Sequence, residues 1–252
     1  MKTSGLVVLI TGGGSGIGFE TAKLFAARGN RVILTGRNKE KLEHAARQLE
    51  NTVYFACDVN SEEQTTALAE FIKTKYGKLN VLMNNAGHAH LYQFGSGVEV
   101  YEKAKSEMET NYFSVIRLTE KLVPLMQKET EAAVINVSSI VAISPSLALS
   151  GYSASKAALH AYSLVLRLSL AQSSKIKVFE VMPPLVDTDF AKGIPSPDKI
   201  SPAQVAEETL AAMENNTFEI HIASTKDFLG LFLNSPEKAF LAMNAAAVQQ
   251  LN

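Results

Sequence analysis

The sequence predicts an α/β protein built on a doubly wound parallel sheet, about seven strands with helices on both faces. Three observations predict it. Short apolar runs recur along the chain, separated by stretches of helical periodicity. The runs are apolar throughout rather than alternating, as in strands covered on both faces. Turn residues and polar groups collect where the runs end, at residues 11–18, 36–38, 58–61 and 84–87. That is the edge at which such sheets bind ligands.

The elements follow in order. Residues 6–10 are the first strand, and a helix with Ile17, Thr21, Leu24 and Phe25 on one face follows the glycine-rich stretch after it. Residues 31–35 are the second strand, and Asn38 caps a helix carrying Leu42, Ala45, Ala46 and Leu49. Residues 53–57 are the third strand. Ser61 caps the next helix, with Ala67, Leu68, Phe71 and Ile72 inward. Residues 79–83 form the fourth strand, and 101–127 a long helix or a bent pair. A fifth strand at 133–137, a helix at 152–171 and a sixth strand at 176–182 follow. The pattern then loosens through Pro183-Pro184 to residue 199, and the stretch around 185–200 has the Gly and Pro content of a mobile lid. Ser201-Pro202 opens a late helix, and 218–223 is a last strand. The tail from Asp227 breaks at Pro236 and ends in a short helix.

Of the 252 residues, 46% are hydrophobic and 19% charged, which suits a single domain over 1–252 with a large core. The one cysteine, Cys57, cannot form an internal disulfide and lies in an apolar run, so it reads as packing in a reducing compartment. The net charge of −1 argues against a dedicated nucleic-acid or membrane-surface binder. No apolar run approaches the ~20 residues of a membrane span. The chain enters its first strand without a signal-like segment, so a cytoplasmic protein is expected. No His, Cys, Asp and Glu set has the spacing of a metal site.

Two stretches carry chemistry. Thr11-Gly12-Gly13-Gly14-Ser15-Gly16-Ile17-Gly18 stands between a strand and a helix. Glycines there let backbone N–H groups approach a dinucleotide pyrophosphate, and the helix N-terminus favours its charge. Taken alone, the glycines fit a ligand-free turn equally well. Tyr152 and Lys156 are four apart on a helix and face the same side. A lysine cation beside a phenol lowers the phenol pKa from its ordinary ~10 and suits it to proton exchange with a carbonyl or hydroxyl. Taken alone, this too is a common surface pair.

Together these residues resemble the classical short-chain dehydrogenase/reductase family, over nearly everything from Leu6 to Ala223. The family's Thr-Gly-x-x-x-Gly-x-Gly is matched by Thr11, Gly12, Gly16 and Gly18, and its Asn-Asn-Ala-Gly by residues 84–87. Its Tyr-x-x-x-Lys is Tyr152 and Lys156, its serine thirteen residues earlier is Ser139, and its helix asparagine is Asn111. The resemblance implies a Rossmann-type fold and a tetrad. Tyr152 is the general acid or base. Lys156 lowers its pKa and holds the nicotinamide ribose. Ser139 hydrogen-bonds the substrate oxygen, and Asn111 holds a water in the proton relay. It further implies that Gly12, Gly14, Ser15, Gly16, Ile17 and Gly18 cradle the cofactor. Asp58 and Val59 meet the adenine, Asn85, Ala86 and Gly87 line the site, and Val186 and Thr188 hold the carboxamide and phosphate. The segment 181–188, with Pro183-Pro184 where the family reads Pro-Gly, resembles the DltE-type bacterial branch.

The position where NAD enzymes carry an acidic residue is Gly36, followed by Arg37. An arginine there pairs with a 2′-phosphate, so NADP(H) is expected rather than NAD(H). The substrate cavity is expected between residues 88–97, 140–151 and 185–199. These stretches hold no Arg or Lys cluster, which disfavours a polyanionic substrate. His88 and His90 read as loop residues. The function implied is hydride transfer between NADP(H) and a carbonyl or secondary alcohol. The alternative is a catalytically weak NADP-binding sensor or scaffold of the same fold. The helices at 111–124 and 152–171 form the dimer interface in related proteins, which implies a homodimer or homotetramer.

Overall fold

The protein is described from a computed structural model, covering residues 1–249 except 93 and 96. Two positions of the expected substrate stretch 88–97 thus lie outside the described residues.

Among the described residues, seven strands form one parallel sheet in the order β3-β2-β1-β4-β5-β6-β7. They are β1 (Val7–Thr11), β2 (Arg31–Gly36), β3 (Thr52–Ala56), β4 (Val81–Asn84), β5 (Ala132–Val137), β6 (Ile176–Met182) and β7 (Glu219–His221). The chain starts at the centre, winds out to β3, then returns to lay β4 on the other side of β1. The reversal between β1 and β4 opens a crevice at their C-terminal ends.

Helices cover both faces. On one, α1 (Gly16–Ala27), α2 (Lys39–Arg47) and α7 (Pro202–Asn215) pack Phe25, Leu42 and Leu210 onto Val8, Ile10, Val32 and Leu34. On the other, α3 (Glu62–Tyr76) and α5 (Ser114–Met126) pack Leu68, Ile72, Leu118 and Leu122 onto Val7, Leu9, Leu82 and Val134, with Leu170 of α6 (Ser150–Ser173) beside them. Both faces of β1 are therefore dry, which is why its run has no polar alternation.

The caps follow the sequence. Asn38, Ser61 and Ser201 each accept a hydrogen bond from the backbone N–H three residues on, and Pro202 occupies the first turn of α7. The stretch 101–127 resolves into α4 (Val100–Met108), a π-helical turn (Glu109–Phe113) and α5. The wider turn carries Asn111, and such insertions concentrate at functional sites.

Some expectations are corrected. Ala67 is exposed, and Thr65 takes the inward place in α3, its hydroxyl satisfied by the carbonyls of Ser61 and Glu62. Ile17 and Leu24 are only partly buried, because α1 turns Gly18, Thr21, Ala22, Phe25 and Ala26 inward. The fourth strand starts later than expected, since the Asn80 side chain takes the Val7 N–H. The tail breaks before Pro236 and ends in a short helix as expected, and it holds two further helices before that one. These are α8 (Thr225–Asn234) and α9 (Pro236–Met243), the latter capped by Ser235, and the short last helix is α10 (Ala245–Val248). No helix among the described residues is long and apolar enough to cross a membrane.

Candidate active site

The site lies in the crevice between β1 and β4. Thr11 ends β1 with its hydroxyl accepting from the Asn85 and Ala86 N–H groups, both at 2.9 Å, and facing the Met83 carbonyl at 3.3 Å. The Asn85 amide donates back to the Thr11 carbonyl at 2.8 Å. The glycine loop and the Asn-Asn-Ala-Gly turn are thereby one unit. Side chains are excluded between them. A Cβ on Gly18 would stand 2.6 Å from both the Gly12 carbonyl and the Asn85 amide nitrogen. Gly16 has φ +57° and faces Thr188, whose methyl would lie 3.0 Å from an added Cβ. Gly13 serves the core instead, against Leu34.

At the start of α1, the Ser15 side chain makes no cap hydrogen bond. The first-turn N–H groups there are left for an anion. Gly14 faces Lys41 of α2 at ordinary contact distance. Arg37 is exposed at the end of β2 and makes no ion pair among the described residues. Val59 is buried, while Asp58 is part-exposed and accepts the Asn60 N–H at 3.0 Å, bracing the turn after β3. These features fit a dinucleotide: a side-chain-free cradle, helix N–H groups with no side-chain cap, and an exposed guanidinium just past the end of β2.

The structure brings the four expected catalytic residues together. Asn111, Ser139, Tyr152 and Lys156 are all buried. The Ser139 hydroxyl accepts the Val141 N–H at 3.3 Å and lies near enough to the Tyr152 phenol to draw its pKa down. The Lys156 ammonium lies 5.5 Å from the Tyr152 ring centre and donates to the Val137 carbonyl at 2.7 Å. The Asn111 amide donates to the His88 carbonyl and to the Ser155 hydroxyl, and its oxygen accepts the His88 N–H. A Cβ on Gly87 would stand 2.9 Å from that oxygen and 3.7 Å from the Lys156 nitrogen. Asn111 retains one acceptor lone pair in that space.

Burial pushes the Tyr152 phenol well above its ordinary pKa; the nearby Ser139 hydroxyl pulls it down and Glu107 pushes it further up. This reverses the direction expected of the Tyr-Lys pair. Both groups have left water, and the lysine hydrogen bond goes to Val137 rather than to the phenol. Burial also brings the Lys156 ammonium down to about 8, against the raising pull of Glu180. Cys57 is buried, and burial takes its thiol up to about 11, which matches a packing role.

The three substrate stretches converge on Tyr152. Phe190 lies over it with ring centres 5.7 Å apart. The segment carrying Phe190 is closed at its ends by parallel pairing of Val186 with Ile200, and tethered to α2 by Lys41 and Asp189 at 2.9 Å. Pro183 accepts the Ile140 N–H through its carbonyl, so the Pro-Pro departure is built into the wall of the site. Tyr92 joins the other two stretches, accepting the Gly151 N–H at 2.8 Å. His88 and His90 stack edge to face and tie back to α4, His88 through Ser106 and the His90 backbone N–H through Glu107. Sequence reasoning did not single out Phe190, Glu107, or Asn244, which holds residues 145 and 147 from the tail. Phe190 lay within the expected lid; the other two carry no local signal.

Comparison with known proteins agrees with this geometry. Residues 6–199 match the family described as short chain dehydrogenase. The uncharacterized oxidoreductase DltE of Bacillus subtilis is 41% identical over 188 residues, covering 75% of this chain and 74% of that protein. A short chain dehydrogenase of Burkholderia cenocepacia, solved in complex with NADP, superposes with a TM-score of 0.84 at 28% identity, covering 96% and 98% of the two chains. A 3-ketoacyl-(acyl-carrier-protein) reductase of Brucella melitensis, solved with NADH, gives 0.76 at 30% identity, covering 84% and 92%. With its seven-stranded parallel sheet and these matches, this chain belongs to the short-chain dehydrogenase family, in its DltE-type branch.

Proposed function

We propose that this member of an oxidoreductase family transfers a hydride between NADP(H) and a carbonyl or secondary alcohol, with Asn111, Ser139, Tyr152 and Lys156 as its catalytic set. The observation that carries this reading is the phenol of Tyr152, buried against Ser139 beneath Phe190, with Lys156 one helical turn on.

When bound, the cofactor supplies the hydride. Tyr152 gives its proton to the carbonyl oxygen in reduction and takes it back in oxidation. Its raised pKa keeps the phenol protonated and suits the donating role. Ser139 hydrogen-bonds the same oxygen and stabilises charge developing there. Lys156 holds the ribose hydroxyls and, with a water on the open lone pair of Asn111, returns the proton to Tyr152. Phe190, itself 51% exposed, presents an apolar wall to the substrate.

The 2′-phosphate preference rests on Arg37, the unpaired guanidinium beyond Gly36. The pairing of this chain into a homodimer or homotetramer is supported by Phe113 beside α5 and by Leu164, Val165 and Leu168 of α6, which expose an apolar face. We place the protein in the cytoplasm, where the thiol of its one cysteine stays reduced.

The test is a panel of ketones, aldehydes and secondary alcohols with each cofactor, followed at the reduced-nicotinamide absorbance band. NADPH-dependent turnover of at least one apolar carbonyl is expected. Tight binding without turnover across the panel would point to a sensor or scaffold instead.

A further inference from the structure

The face of α6 that carries Tyr152 and Lys156 continues one turn further to His160. Beneath it, β6 raises a carboxylate. His160 Nδ1 lies 2.9 Å from Glu180 Oε2, and the Glu180 side chain is 0% exposed. The other oxygen, Oε1, is buried without a hydrogen-bond partner. Glu180 sits in a polar row that crosses the sheet at one level: Asn84 pairs in register with Asn136, Asn136 with Glu180, and Glu180 with Glu219. The asparagines are occupied with each other and with the hydroxyls of Thr119 and Ser163. They offer Glu180 no charge.

Few charged groups face this carboxylate. From β7 come Glu219 and His221, and from α6 come Lys156, His160 and Arg167. Arg167 is held by Glu219 and by the carbonyls of Val178 and Phe218. Burial lowers the pKa of His221, which favours its neutral form. Among the described residues, this leaves His160 and Lys156 as the cations available to Glu180. Lys156 in turn is buried and reaches the same strands. It donates to the carbonyl of Val137, which pairs in register with Val181, the neighbour of Glu180, and among the described residues this is its one hydrogen bond. A buried ammonium and a buried carboxylate each cost several kcal/mol unless compensated.

We propose that Glu180 is the counter-charge of Lys156, a positioning residue that keeps the ammonium protonated in a site closed to water, and that His160 sets the strength of that support. The proposal rests on the role given to Lys156 under Proposed function. While His160 is protonated, the His160–Glu180 pair is neutral and offers Lys156 little. Once His160 loses its proton, the pair carries a full negative charge. Two directions agree with this. The Glu180 hydrogen bond raises the pKa of His160, against its burial. Glu180 also raises Lys156, against the burial that brings it to about 8. Support is therefore strongest between the titration of His160 and that of Lys156.

The test reads the lysine itself. Full-length protein labelled with [13Cε]lysine is titrated without cofactor, and the Lys156 resonance is the one that Lys156→Arg removes. Glu180→Gln is expected to lower the Lys156 midpoint by about one pH unit, a tenfold loss of proton affinity. Glu180→Asp should keep most of the difference. In carbonyl reduction, the alkaline limb should move down by the same amount in Glu180→Gln. A purely structural glutamate would change the melting temperature and leave the midpoint where it was. An unchanged midpoint in Glu180→Gln overturns the proposal.

A second measurement needs no variant at position 180. The His160 imidazole of the unmodified protein should titrate above the ordinary ~6.5; a midpoint at or below it would mean that no anionic carboxylate faces it, and would equally overturn the proposal. A shifted Lys156 midpoint in a protein that reduces nothing would uphold the charge coupling and remove the proposed activity instead.

Discussion

At the N-terminal end of the sheet, Asn30 and Asn80 bury their amides with both the nitrogen and the oxygen bonded. Asn30 takes the Leu6 N–H and donates to the Thr3 and Phe25 carbonyls. Asn80 takes the Val7 N–H and donates to Glu129 and to the Glu131 carbonyl. At the C-terminal end, and just behind it, buried polar atoms lack partners: Glu107 Oε2, Glu180 Oε1 and His90 Nδ1. Both ends pin β1 to its neighbours, the lower through Asn30 and Asn80 and the upper through Thr11 and Asn85. The difference lies in buried polar atoms left without any partner. A buried group with each polar atom bonded stabilises the fold. A buried polar atom without a partner costs stability and stays available to bond.

Substitutions at the two ends should separate these roles. The largest loss of cofactor affinity is expected from Gly18→Ala at the upper end. Its Cβ would meet the Gly12 carbonyl and the Asn85 amide, at a cost of about 1–3 kcal/mol. If that strain falls on the cradle, NADPH affinity drops roughly tenfold to a hundredfold in an equilibrium titration. Wild-type affinity in this variant would show that the pyrophosphate sits elsewhere. Next comes Arg37→Asp. It removes one charge-assisted bond and adds repulsion, so NADPH binding should weaken on the order of tenfold to a hundredfold, with NADH little changed. Equal weakening of both would remove Arg37 from cofactor choice.

The smallest effect on activity is expected at the lower end. Asn80→Leu leaves the Val7 N–H and the Glu131 carbonyl buried and unpaired, lowering stability by about 3 kcal/mol in urea unfolding. Turnover per folded molecule should stay at the wild-type value. A drop in turnover without a drop in stability would dissolve the distinction between the two ends.

The same contrast explains how much was legible in the sequence. The strands and the helices between them follow from apolar runs and helical periodicity, and the caps at Asn38, Ser61 and Ser201 from local side-chain chemistry. The four residues expected as a tetrad stood out through motifs at fixed spacings, and all four are buried in the structure. The polar row through Asn84, Asn136 and Glu180 was not legible, since an isolated polar residue inside an apolar run says nothing of its partners on other strands. Nor was the upward shift of the Tyr152 phenol: spacing places Lys156 beside it, but burial sets the sign. Asn244 reaches residues 145 and 147 from the far end of the chain, a contact that no local pattern encodes.

The central claim is that the upper end is a hydride-transfer site with Tyr152 as its proton donor. The measurement that tests it most directly is a single-turnover reduction of a carbonyl by NADPH-loaded protein, wild type against Tyr152→Phe, with NADPH affinity measured on the same preparations. The account predicts that the variant binds NADPH as tightly as wild type while the absorbance decay slows by about 10²- to 10⁴-fold. Decay at the wild-type rate in the variant would contradict it.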